Sequence, residues 1–136
     1  MDKKDRIANF LQAEHFAVAG ASTKRDKYGN KVLRSYLEHG YKVIPINPTA
    51  ALVEGIPSVS SVAELPAEVT ALSIITPPQV TRKVVAAAIE LGHIKHIWMQ
   101  PGAEDKSAVE LCETHNINVI ADGSCLLVEI GFSEGH

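Results

Sequence analysis

What the chain has little of narrows its class first. No apolar run approaches the roughly eighteen residues that a membrane-spanning helix needs, so the sequence predicts no membrane span. The opening MDKKDRIANF mixes acids with bases and has neither the apolar stretch nor the small-residue cleavage site of a secretory signal. A cytoplasmic location is the expectation. Two cysteines, Cys112 and Cys125, are too few for a disulfide framework, and a reducing compartment would keep them as thiols. The net charge of −3 lacks the basic surplus of a general nucleic-acid binder. Cys112 and His115 stand one helical turn apart, but no second pair at finger spacing accompanies them, so no metal site is predicted. The other histidines, His15, His39, His93, His96 and His136, have no Ser or Asp partner at a motif spacing, which leaves no catalytic triad to argue.

What is present reads as one domain over residues 1–136, with 46% hydrophobic and 21% charged residues and no repeat, low-complexity tract or long linker. Ile7, Phe10 and Leu11 at helical spacing predict a helix over 3–13. HFAVAG (15–20) reads as a buried first strand, and Val32, Leu33, Tyr36 and Leu37 predict a helix over 29–39 stopped by Gly40. YKVIPIN is the second strand, and its Pro45, which has no N–H to donate, sits uneasily in a central position. A loop follows, then a short helix over VSSVAEL (59–65) and a third strand over VTALSIIT (69–76). Val80, Val84, Ala87, Ala88 and Leu91 predict a helix that begins at the TPP proline pair and stops at Gly92. HIKHIWMQ, EDKSAVELCETH and INVIAD supply strand four, a helix and strand five, and SCLLVEIGF is compatible with helix or strand. This alternation predicts a Rossmann-like, doubly wound α/β domain: a mostly parallel five-stranded sheet with helices on both faces.

In such a sheet, ligands bind beyond the carboxyl ends of the strands, near the reversal of strand order. The loops to inspect are therefore 20–28, 47–50, 76–78, 100–103 and 122–125. VAGASTKRDKYGNKV places Gly20, Ala21, Ser22 and Thr23 ahead of a helix N-terminus, a natural anion site, with Lys24, Arg25, Lys27, Lys31 and Arg34 adding positive charge from the solvent side. A phosphate is the expected guest; a capped helix with a solvated basic face is the plainer alternative. NAD is disfavoured because PINPT ends the second strand without the acid that binds ribose hydroxyls, whereas NADP stays open. Asn47 to Thr49 and Thr76 to Pro78 form stiff walls suited to a flat base or a partly apolar arm. Gln100, Pro101 and Gly102 stand at the same rim above a packed Trp98. Asp122 and Cys125 follow strand five; without a local base or cation, Cys125 reads as a small packed residue near the ligand rather than a nucleophile.

Taken together, AVAGAS, GYKVIPINP, EGIPSVSSVAELP, TPP, WMQPGA and VIADGSC resemble, in order and spacing, the small bacterial CoA-binding proteins of the YccU type. These are similar to the N-terminal CoA-binding domain of the succinyl-CoA synthetase alpha subunit, and the resemblance runs from about Ile7 to Phe132. It implies coenzyme A or an acyl-CoA as ligand. By position it implies phosphates at Gly20, Ala21, Ser22 and Thr23, and the nucleotide along Asn47 and Pro48. Thr76, Pro77 and Pro78 would line the adenine or pantetheine path, and Met99, Gln100 and Pro101 would border the pantetheine arm. Two departures stand out. Thr49 and Ala50 occupy positions where many relatives carry a phosphate-binding lysine, and Asp122, Gly123, Ser124, Cys125 replaces an Asp-Arg-Cys pattern. Lys24, Arg25 and Lys27 are the substitutes at hand. The synthetase's phosphorylated histidine belongs to a second domain, so the expectation is a binding protein without chemistry of its own, open to a protein partner or to homo-oligomerisation. An NADP-linked small enzyme or redox sensor, and a regulatory interaction module with a vestigial pocket, are the alternatives.

Overall fold

The computed structural model describes residues 2–132. His136 lies outside them. Helix α1 (Lys3–Leu11) starts at Asp2, whose carboxylate accepts the Asp5 N–H at 2.9 Å, and leads into strand β1 (His15–Ala19). Next come α2 (Tyr28–Glu38), β2 (Lys42–Ile46), and a two-stranded hairpin of β3 (Leu52–Val53) and β4 (Ile56–Pro57). A single 3-10 turn over Val62–Glu64 precedes β5 (Ala71–Ile74). The chain continues through α3 (Pro78–Leu91), β6 (His96–Met99), α4 (Lys106–Thr114), β7 (Asn118–Ile120) and α5 (Leu126–Ile130).

The main sheet has the order β2-β1-β5-β6-β7, all neighbours parallel, so the five-stranded Rossmann-like α/β fold stands as expected. Both faces are covered, because in a parallel sheet each crossover lays a helix on one side or the other. α2, α1 and α5 cover one face around Phe10, Phe16, Val32, Tyr36, Trp98 and Leu126; α3 and α4 cover the other around Ile46, Leu72, Val85, Ile97 and Cys112. Phe10 stands edge-on to Trp98 with ring centroids 5.2 Å apart, which seats α1 firmly against the sheet. No helix among the described residues is long and apolar enough to cross a membrane.

The structure refines several expectations. β2 is an edge strand, which is why Pro45 is tolerated: its carbonyl accepts the Val59 N–H at 3.0 Å, and no donor is required of it. The helix expected over 59–65 shrinks to the 3-10 turn. Val59 is held in a parallel bridge to Ile46, and Leu65, which precedes Pro66, is extended with ψ 133°, away from the α region. The stretch read as a featureless loop contains the hairpin. Glu54 (φ 51°) and Gly55 (φ 77°) both take positive φ, as a two-residue turn between right-twisted strands requires. The ambiguous last segment is the helix α5.

Candidate functional site

The strand order reverses between β1 and β5, and the loops leaving those strands pack directly on one another. Gly20 has φ +90°, and a Cβ built there would lie 2.2 Å from the Ile75 carbonyl oxygen and 3.3 Å from the Thr76 methyl. Only glycine fits. Gly29, in the first turn of α2, is equally constrained: its Cβ would stand 1.9 Å from the Gly20 carbonyl oxygen. The helix thus presses its N-terminus against the turn. Lys27 precedes α2 without capping it through a side chain, so the first-turn N–H groups are not taken by a side-chain cap there.

Side chains tie the loops together. Asn30, fully buried, donates to the Ser22 carbonyl at 2.8 Å and to the Glu54 carboxylate at 3.1 Å. Asn47 donates to the Ala21 carbonyl at 3.0 Å, while its Oδ1 accepts from the backbone N–H of Thr49 and of Ala50 and from the Thr49 hydroxyl. Ser22 Oγ accepts the Lys24 N–H at 3.1 Å. Thr76 and Thr81 join hydroxyls at 2.8 Å where α3 begins on Pro77 and Pro78.

These loops enclose a cleft of about 430 Å³, within the range of small-ligand sites. It is lined by Ala19, Gly20, Ala21 and Thr76 of the loops after β1 and β5, by Ile46 and Pro48 at the end of β2, by Val62, and by Val80, Lys83, Val84 and Ala87 of α3. Ser60, Ser61 and Ala63 complete the lining. The lining is mostly apolar, and Lys83 is its one charged side chain among the described residues.

The sequence-derived candidates therefore separate into groups. Gly20, Ala21, Pro48 and Thr76 line the cleft. Asn47 braces it from behind, and Pro77 and Pro78 open α3 beside it. Ser22, Thr23, Lys24, Arg25 and Lys27 form the outer turn. Arg25 faces Glu54 at 3.8 Å, and Arg34 donates to Asn30 at 2.7 Å and to the Arg25 carbonyl at 2.8 Å, so part of the basic cluster fastens the turn. Met99, Gln100, Pro101 and Cys125 gather beyond β6 and β7. Met99 is fully buried, and Gln100 accepts the Leu126 N–H at 2.8 Å and donates to Cys125 Sγ at 3.4 Å. Asp122 accepts both the hydroxyl and the N–H of Ser124, which hold its carboxyl below the ordinary carboxylate range. Sequence reasoning missed Ser60 to Ala63 and Lys83. The signal for the latter was available: a lysine stands inside the stripe Val80, Val84, Ala87 that was assigned to the core.

With the turn, the cleft and the uncapped helix in place, the comparison with known sequences decides the family. A model described as CoA binding domain matches residues 14–131. The chain belongs to the CoA binding domain family. Among curated members, YneT of Bacillus subtilis, described as an uncharacterized protein, is 26% identical over 120 residues, 88% of this chain and 88% of YneT. The alpha subunit of acetate–CoA ligase [ADP-forming] II from Pyrococcus furiosus is 27% identical over 121 residues; the match covers 82% of this chain but 26% of that subunit. Among solved structures, a conserved hypothetical protein from Pyrococcus furiosus superposes with a TM-score of 0.80 at 36% identity, covering 85% of this chain and 98% of that one. The CoA binding domain therefore accounts for most of the chain, and the remaining three-quarters of the ligase subunit has no counterpart in the match.

Proposed function

We propose that this protein is a cytosolic binding module for coenzyme A or an acyl-CoA, and that it performs no chemistry of its own. The observation that carries the reading is the cleft at the strand-order reversal, which joins a glycine turn, a helix N-terminus without a side-chain cap and an apolar wall bearing one cation. The diphosphate lies against the Gly20–Thr23 turn, where backbone N–H groups and the α2 dipole favour an anion. Pro48, beside Asn47, flanks the nucleotide. The pantetheine arm leaves past Thr76, Pro77 and Pro78 toward the Met99–Pro101 rim, near Cys125. NAD is disfavoured by Asn47. It occupies the place of the ribose-binding acid, and both ends of its amide are already committed within the protein.

Calorimetry with CoA, acetyl-CoA, NAD and NADP tests the reading. Saturable binding of CoA species is expected, and binding of a nicotinamide dinucleotide alone overturns it. Ser22→Asp sharpens the test: aspartate can accept the Lys24 N–H as serine does, so the turn persists while an anion enters the phosphate site. CoA affinity should fall at least about tenfold, the scale of a lost charge-assisted hydrogen bond.

A further inference from the structure

We infer that Lys83 binds a second phosphate of the ligand, the 3′-phosphate on the ribose of CoA, and so makes the cleft discriminate CoA from its dephosphorylated form. This rests on the CoA reading. The loops after β2 and β7 bring no basic side chain at Thr49 and Ala50 or at Gly123 and Ser124. The sequence suggests the 24–34 cluster as the replacement, yet none of those bases lines the cleft. Arg25 is paired with Glu54, Lys31 lies over the Tyr28 ring at 5.3 Å, and Arg34 holds Asn30 and the Arg25 carbonyl. Lys83 does line it, and no acidic side chain is among the lining residues described.

Position along α3 assigns the phosphate. Thr76 touches the Gly20 turn at one end of the cleft, and Lys83 stands seven residues further on. Five of those residues run along α3 from Pro78, a helical rise of about 8 Å. The ammonium group is thus set away from the phosphates held by the turn and beside the apolar wall of Val62, Val84 and Ala87, which takes the base. A ligand whose flat base carries an anion on its own ribose, separate from the diphosphate, matches that arrangement. A lysine acts here as a point charge on a flexible stem, and its exposure leaves the helix indifferent to its removal.

Calorimetry on the full chain with CoA and with dephospho-CoA tests the assignment in wild type, Lys83→Ala, Lys83→Arg, and Lys95→Ala as a remote control, with circular dichroism confirming the fold. The wild type should prefer CoA about tenfold or more. Lys83→Ala should lose about that factor for CoA and nothing for dephospho-CoA, Lys83→Arg should keep most of the preference, and Lys95→Ala should match wild type. Equal losses for both ligands would mean that Lys83 meets the diphosphate, and unchanged affinities would remove it from recognition; either result overturns the inference and leaves the CoA reading standing. Failure of the wild type to bind either compound overturns both.

Discussion

At Gly20 and Gly29 two different physical demands select the same residue. Gly20 needs both a positive φ and an empty Cβ position, whereas Gly29 sits in ordinary helical backbone and needs only the space. Replacing a helical glycine by alanine normally gains up to about 1 kcal/mol of propensity. At Gly29 the contact at 1.9 Å is with a backbone carbonyl, which retreats only if the whole turn moves, so overpacking outweighs propensity. Gly29→Ala should therefore lower stability by about 1–3 kcal/mol in urea melts and weaken CoA binding as well. Gly92→Ala, strained at φ +93° but with nothing within 4 Å, should cost about 1 kcal/mol and leave binding alone. Equal effects of the two would refute the close approach. Asp122 gives a pH-dependent counterpart. Its carboxyl is depressed chiefly by the Ser124 hydroxyl, so the stabilisation is present above the unfolded-state value and is lost as pH falls through the folded one, in the acid range below about 4. Ser124→Ala should raise the Asp122 titration midpoint in a carboxyl-carbon NMR experiment, and its stability deficit should shrink as pH is lowered through that range. The substitution spares the carbonyl that accepts the Trp98 indole N–H, so the core contact stays as an internal control.

At the scale of elements, legibility in the sequence followed the strength of local signals. The five sheet strands were readable because each is a short, mostly buried apolar run between turn signals, and α3 because a proline pair, an apolar stripe and Gly92 agree. The hairpin was not, because its strands are two residues long and its turn is Glu54-Gly55 rather than the familiar Asn-Gly. Its glutamate accepts a left-handed conformation while its carboxylate receives Asn30, so a tertiary bond fixes what local preference would not. The half of the cleft built from loop ends was legible for the same reason as the strands. The half built from α3 and residues 60–63 was not, since a helical stripe looks alike whether it faces a core or a ligand. Glu54 separates charge from hydrogen bonding. Glu54→Gln keeps an acceptor for Asn30 and loses only the ion pair with a largely exposed Arg25, which should cost no more than about 0.5 kcal/mol. Glu54→Ala also removes the acceptor and should cost about 1 kcal/mol or more in urea melts. If the glutamine variant is as destabilised as the alanine variant, the hairpin is anchored by charge instead.

For the whole molecule, the question is whether the cleft and the distant face of the sheet open together. α1 is bound to the far edge of the sheet by Arg6, whose guanidinium donates to the Val119 carbonyl at 2.9 Å, and by Asn118, which donates to the Arg6 carbonyl at 2.9 Å. α4 covers the face that also floors the cleft, and Cys112 is fully buried within that shared core. Burial, aided by Glu113, pushes the Cys112 thiol up to about 12. Since the thiolate is the nucleophile, only about one part in ten thousand is reactive at pH 8 even before access is considered. Cys125, half-buried, is the thiol that should react in the native protein, so a Cys125→Ser variant leaves Cys112 as a reporter of opening. With a disulfide reagent in excess, its labelling should be slow and should accelerate with urea. Acetyl-CoA, whose sulfur is held in a thioester and does not consume the reagent, should slow it about a hundredfold at about a hundred times its dissociation constant, because a ligand bound only by the folded state suppresses global opening by that factor. A labelling rate indifferent to acetyl-CoA would show that α4 opens by itself while the cleft stays intact, and that the two faces of the sheet are not one cooperative unit.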